Sequence, residues 1–277
     1  MMSGSQSVSD RTSLFIATKE HRRFTEFAEA VRKHRYIGLC YGPAGVGKTQ
    51  SARRYARWDI AEPLLVAWGA RTPADAKVYA ALAQNRAVFY TPAVRCPFRE
   101  MHGDIARLIQ RASHCIGEHV HRAESIRTGV GDEPAELLII DEAERLATPG
   151  LEHLRDLFDR TGIGVILIGM PGFEKRLARY PQLYSRIGFA HHYRPLQGNE
   201  LSFVLTRHWR GLGLTLDGAD FTDAQAISSI ARITGGNFRL LHRLFVQIGR
   251  ILKINDLSVI TDDVVEAARS TLVIGAT

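Results

Sequence analysis

Cysteine is scarce in this chain: Cys40, Cys96 and Cys115 are all that 277 residues hold. They form no CxxC pair and, being three, cannot all be cross-linked within one chain. A zinc ribbon and a secreted disulfide scaffold are therefore excluded, and a reducing cytoplasm is the expected compartment. Long apolar runs are missing too, and the first residues, MMSGSQSVSDRTS, contain no apolar core. Neither a membrane span nor a signal peptide is expected, and no membrane is expected among the partners. No internal repeat, zinc finger or convincing helix-turn-helix is visible. What is present is ordinary globular composition, 45% hydrophobic and 23% charged, which excludes collagen-like, low-complexity and mucin-like chains. The length suits one large domain or a large one with a small one. Lys and Arg number 36 against 29 Asp and Glu, a formal charge of +7. That balance admits a polyanionic partner, nucleic acid or nucleotide phosphate, without requiring one.

The apolar pattern then orders the chain. Residues 1–13 are Ser-rich and read as a mobile tail. Phe15 to Arg35 places Phe24, Phe27, Ala28 and Val31 at helical spacing. Tyr36 to Tyr41 reads as a strand, followed by glycines and a helix from Thr49 to Trp58. Residues 62–86, Ala-rich with Pro63 and Pro73, read as an insertion carrying one short helix. Ala87 to Thr91 is a second strand and Phe98 to Ser113 a helix; Gly117 to Pro134 is polar enough for an exposed loop with part of a helix. Leu137–Ile140 and Gly164–Gly169 are further strands around a helix from Gly150 to Arg160. Such alternation predicts an α/β fold with a parallel sheet covered by helices. After Pro195 only helical stretches follow, Glu200 to Arg210, Asp223 to Ile233, Phe238 to Leu252 and Asp262 to Leu272. Thr222 and Thr261 are the expected N-caps, and Gly235-Gly236 ends one helix.

Gly42-Pro43-Ala44-Gly45-Val46-Gly47-Lys48-Thr49 satisfies G-x-x-x-x-G-K-[ST] at every fixed position. Glycines there permit the positive φ that turns backbone N–H groups toward phosphate oxygens, at the N-terminus of the next helix, where Gln50 also lies. Lys48 supplies a point charge for β and γ phosphates, and the Thr49 hydroxyl is a candidate Mg2+ ligand. Asp141 and Glu142 follow an apolar strand at its carboxyl end, where ligands gather in parallel sheets. Asp141 is the expected second metal ligand, and Glu142 the residue that orients or deprotonates attacking water.

With GPAGVGKT, LLIIDEAERL, VILIGMPGF, LARYPQLYSRIGF and TGGNFRLLHRLF, the sequence resembles the AAA+ ATPases over roughly residues 15 to 270. Within them it is similar to the transposition regulators of the TniB, TnsC and MuB kind. The resemblance implies a P-loop AAA+ domain over residues 14–196 and a small, all-helical lid over 197–277. It implies ATP and Mg2+ as cofactors, with Lys48, Asp141, Glu142 and Arg186 as catalytic residues. Arg186 is the position that resembles a finger reaching a neighbouring subunit's γ-phosphate, with Arg179 as its rival. Arg239 resembles the second sensor, which couples the lid to nucleotide. One departure stands out: where the family usually has a polar first sensor, the chain reads Gly169-Met170-Pro171, and Met donates no hydrogen bond. Slow or conditional hydrolysis is the expectation.

The resemblance further implies assembly of the chain with itself, as a ring or helical filament around duplex DNA, and recruitment or activation of a DDE-type transposase. Arg95, Arg99, Arg122 and Arg127 are the cations expected on the phosphate backbone, giving affinity without base reading. Two other readings remain open at this point: a protein-remodelling or secretion-associated ATPase that does not act on DNA, and a nucleotide-gated scaffold that barely hydrolyses ATP. His191 and His192 are expected as strand or surface residues, not metal ligands.

Overall fold

In a computed structural model the first helix, α1 (Lys19–His34), starts where the Thr18 hydroxyl accepts the His21 N–H at 3.1 Å. It buries Phe24, Phe27, Ala28 and Val31, the stripe expected from their spacing. The structure describes residues 15–70, 72–95, 97–124 and 134–272; the predicted tail, residues 1–13, lies outside them. The chain divides into two compact units, one formed by the residues before Pro43 with Lys48–Tyr193, the other by Pro43–Gly47 with Arg194 onward.

The first unit is built on a parallel sheet in the order β2-β3-β4-β1-β5: β1 (Ile37–Tyr41), β2 (Ala87–Tyr90), β3 (Leu137–Ile140), β4 (Gly164–Gly169) and β5 (Ile187–His192). β3 and β4 are buried along their whole length, as a sheet covered on both faces demands of its central strands. Register pairs Tyr41 with Gly169 and Ile140 with Leu167, so the strands β1, β3 and β4 end on the same edge. The loops after them carry the chemistry-bearing residues.

The fifth strand was not among those read from the apolar pattern, although His191 and His192 within it were expected as strand or surface residues. Ile187-Gly188-Phe189-Ala190-His191-His192 has no apolar run, because it lies at the sheet edge with only alternate residues half-buried. Ile187, Phe189 and His191 form that half-buried row. His191 packs its ring on Phe27, with centroids 5.6 Å apart, in keeping with a strand histidine.

Helices also departed from the expected limits. The stretch read as one helix from Thr49 to Trp58 is α2 (Lys48–Tyr55), interrupted at Arg57, whose backbone is left-handed (φ 48°), before α3 (Trp58–Ala67) resumes. Residues 62–86 hold the end of α3, a 3-10 turn at Pro73–Asp75 and α4 (Ala76–Asn85). They are not an insertion with one helix. Pro63 stands inside α3, where burial of Trp58, Ala61 and Leu65 outweighs the lost backbone bond. α5 (Phe98–Glu124) runs past the expected end at Ser113, since Cys115 and Ile116 continue its buried stripe. The predicted loop is therefore helical to Glu124, and residues 125–133 lie outside the described residues. α6 (Thr148–Thr161), α7 (Phe173–Leu177) and α8 (Pro181–Tyr184) complete this unit.

In the second unit α9 (Gly198–Gly211), α10 (Phe221–Thr234), α11 (Phe238–Ile254) and α12 (Asp262–Ser270) pack around Trp209, Leu241, Leu244 and Ile248. The cap of α10 is Asp220, which accepts from Thr222 and Asp223, and not Thr222 itself. A carboxylate two residues earlier makes the same bond more strongly. Thr261 caps α12, and Gly235 ends α10 at φ 54°. Among the described residues no helix is long and apolar enough to cross a membrane.

Candidate functional site

β1 delivers Gly42, and α2 opens directly on Lys48 and Thr49. The intervening segment turns through positive φ at Gly45 (78°) and Gly47 (113°), conformations that a side chain resists. Lys48 is buried to 9% exposure, and its Nζ donates to the Gly42 carbonyl at 2.5 Å. The ammonium is thereby held at the mouth of β1. One residue on, Thr49 Oγ1 donates to Asp141 Oδ2 at 2.7 Å, although 92 positions separate them.

Asp141 is only 3% exposed. Its backbone N–H donates to the Tyr90 carbonyl at 2.8 Å, which continues the β2–β3 pairing by one residue. Oδ1 accepts the Glu142 N–H at 3.0 Å. Burial pushes its carboxyl above the usual range; the Thr49 bond and the Glu142 N–H pull it back, and the Lys48 charge assists. A buried carboxylate beside a hydroxyl is a pair of hard oxygen donors. Such a set suits a small divalent cation that retains waters and phosphate oxygens, and a cation would relieve the buried charge. Among the described residues there is no cluster of three or more His, Cys, Asp or Glu side chains fit for a metal ion. A dedicated protein cage is thus not what the site offers.

Glu142 follows on a left-handed backbone, φ 46° and ψ 44°. Its carboxylate forms an ion pair with Arg145, three residues on in the 3-10 turn Ala143–Arg145. Met170 lies just beyond β4 and is 39% exposed. Its thioether offers no donor there.

Arg186 lies away from the phosphate loop, whereas the backbone of Arg239 meets it. The Arg186 carbonyl accepts the Ile37 N–H at 3.2 Å, which places it beside the start of β1. The phosphate loop leaves the other end of that strand, about 13 Å away along its axis. The guanidinium is held by Asp159 of α6 through a two-bond fork of 2.6 and 2.8 Å, which holds the Asp159 carboxyl below its ordinary range. In the second unit the Arg239 N–H donates to the Gly45 carbonyl at 3.0 Å. Asn237, the cap of α11, donates from Nδ2 to the Ala44 carbonyl at 2.7 Å.

Of the arginines expected on DNA, Arg95 sits in the exposed turn after β2 and Arg99 in the first turn of α5. Arg122 is in the last turn of the same helix, about 35 Å along its axis from Arg99, so the structure does not bring these two together. Arg127 lies outside the described residues.

Comparison with known proteins agrees with this geometry. The profile of the AAA domain family matches residues 31–177. The chain belongs to the AAA domain family. Over 267 residues it is 43% identical to a potential ATP-binding protein of Staphylococcus aureus, covering 94% of this chain and 97% of that protein. A 180-residue stretch is 27% identical to the Mu-like prophage FluMu DNA transposition protein B of Haemophilus influenzae, covering 62% of this chain and 54% of that protein. Among solved structures, the Thermotoga maritima RuvB Holliday junction branch migration motor superposes with a TM-score of 0.56. At 19% identity, over 91% of this chain and 68% of that one, the likeness is one of fold. The span matched to the AAA domain family holds the phosphate loop, Asp141 and Glu142, and ends before Arg186 and Arg239.

Three residues of this AAA domain protein escaped the sequence reading: Asn237, Arg145 and Asp159. Asn237 carried a signal, since Gly-Gly-Asn before an apolar run is a cap pattern. Asp159 carried none, because its partner Arg186 is 27 positions away, and Arg145 carried only the ordinary three-residue spacing from Glu142.

Proposed function

We propose that this chain is an ATPase that binds duplex DNA without sequence preference, assembles on it in the ATP state, and recruits or activates a transposase. The observation that carries the nucleotide half is the Thr49–Asp141 bond, because it joins the phosphate-loop helix to the strand end that bears Glu142. Lys48 would hold β and γ phosphates; Thr49 and Asp141 would hold Mg2+. The ion supplies charge neutralisation on the phosphate oxygens. Glu142 would orient the attacking water and take its proton. Arg186, at the opposite end of β1 from its own phosphate loop, suits a phosphate held by a neighbouring copy, where its fork would exchange Asp159 for phosphoryl oxygens. Arg239 would report nucleotide to the helices that follow it.

The DNA half rests on the Haemophilus transposition protein, on the formal charge of +7 and on exposed Arg95 and Arg99. A second reading, a nucleotide-gated scaffold with slow turnover, is favoured by Met170 at the sensor position. The deciding experiment is fluorescence anisotropy of a labelled random-sequence duplex titrated with protein in ATP, ADP or no nucleotide, at two salt concentrations. Tight, salt-sensitive binding in ATP alone is expected. Equal, weak binding in all three states would remove DNA as the regulated ligand and bring a protein-remodelling role forward.

A further inference from the structure

Charge in the second unit is sorted by element. α11 carries Arg239, His242, Arg243, Arg250 and Lys253, and no Asp or Glu. Acids stand instead at the start of α10, as Asp220 and Asp223, and in α12, as Asp262, Asp263 and Glu266. Several of them have partners there: Arg232 and Arg269 both pair with Glu266, and the Ser229 hydroxyl donates to Asp262. Among the described residues Arg243, Arg250 and Lys253 have no ion-pair partner.

The helix turns these cations into a stripe. At about 100° per residue, positions 239, 242, 243, 250 and 253 fall within an arc of about 100°. Leu241, Leu244, Phe245, Ile248 and Leu252 are buried on the opposite side, so core packing points the stripe outward, and all five of its basic residues are exposed. From Arg239 to Lys253 it runs about 21 Å along the axis. A surface helix that only needs solvation interleaves its charges. α5 and α6 do so, with Arg107 on Asp104, Arg155 on Glu152 and Asp159, and Arg160 on Asp156. A row of cations with no carboxylate among them repels itself, and a polyanion relieves that repulsion. Duplex DNA presents one phosphate per about 3.4 Å of axis on each strand, so a row of this length faces about six of them. The guanidinium forks of Arg243 and Arg250 match phosphate oxygens.

We propose that the outward face of α11 is a phosphate-binding surface for duplex DNA, with Arg243, Arg250 and Lys253 on the backbone, in addition to Arg95 and Arg99 of the first unit. The inference rests on the DNA reading above and adds a second surface to it. Arg239, assigned to nucleotide above, is outside the set. The contacts position the duplex and read no sequence.

The test titrates a labelled random duplex with the full chain in ATP at several salt concentrations, reading anisotropy, the Kd for ATP and the thermal midpoint. In the triple variant Arg243→Gln/Arg250→Gln/Lys253→Gln, the slope of log Kobs against log salt should flatten by about 2–3, and affinity near about 0.15 M salt should fall on the order of a hundredfold. ATP binding and melting should stay with the parent. Arg243→Lys/Arg250→Lys, which keeps the charge, should hold the parental slope. A triple variant with the parental slope and affinity overturns the proposal, as does a charge-keeping variant that loses as much as the triple. Should the triple melt early, Arg250→Gln alone decides: a slope flatter by about 1 supports the surface, and an unchanged slope overturns it. A triple variant that loses polyglutamate yet keeps duplex assigns the stripe to an acidic protein segment and overturns DNA as its occupant. A parent that binds no duplex in ATP removes the DNA reading itself, whereas equal binding by parent and triple variant removes the α11 surface alone.

Discussion

The bond between Thr49 and Asp141 joins residues from separate elements, and its energetics are set by burial. A carboxylate at 3% exposure with two hydrogen bonds has few ways to compensate for the loss of one. Thr49→Ala should therefore cost about 1–2 kcal/mol of stability in the protein without nucleotide, and Thr49→Ser should restore most of it. Thermal denaturation in buffer without Mg2+ or nucleotide measures both, and an Ala variant melting with the parent would show that the bond is not held in solution. The same scale limits what a sequence discloses. The loop motif named Lys48 and Thr49 because each has a fixed offset from glycines. The partners of Glu142 and Arg186 have no such offset rule, although Arg145 is only three residues away, because an ion pair at that spacing is ordinary surface chemistry until the Pro92 carbonyl is placed beside it.

Among elements, the strands buried along most of their length were legible, the edge strand β2 included, and the half-exposed edge strand β5 was not. β3 and β4 read as apolar runs because every residue is covered; β5 hides its pattern among the exposed Gly188, Ala190 and His192 of a half-covered edge. Helix limits failed for a related reason. The break at Arg57 is a left-handed cap on a residue with no propensity for it, directly before the buried Trp58. In the second unit, α9 and α11 meet at His208, whose ring stacks on Phe245 with centroids 4.4 Å apart. Its Nε2 is buried without a hydrogen-bond partner. Burial, with His242 adding repulsion, depresses His208 to about 4 from 6.5. A folded value below the unfolded one means that the unfolded chain takes up the proton first as pH falls. Stability is then complete above about 6.5 and is lost progressively toward 4. His208→Leu should flatten the fall in melting temperature between those limits while leaving the value at pH 8 within about 2 °C of the parent. A variant that follows the parent's pH profile would place the loss on other groups.

For the molecule as a whole, the legible part was what chemistry pins to local sequence: an α/β sheet, a phosphate loop, an acidic strand end and a helical C-terminal part. Assembly is pinned to none of these. Yet Arg186 sits beside Ile37 at one end of β1, while Gly42 follows Tyr41 at the other. On the proposed reading, a phosphate held by Lys48 of one copy meets the Arg186 fork of a neighbouring copy, and a complete centre has two owners. Two crippled proteins should then repair each other. Glu142→Gln keeps its arginine and lacks its base; Arg186→Ala keeps its base and lacks its arginine. Mixed in equal amounts, they should regain about a quarter of the parental turnover through random head-to-tail interfaces, whereas a mixture as inactive as its parts would return ownership of the site to a single chain.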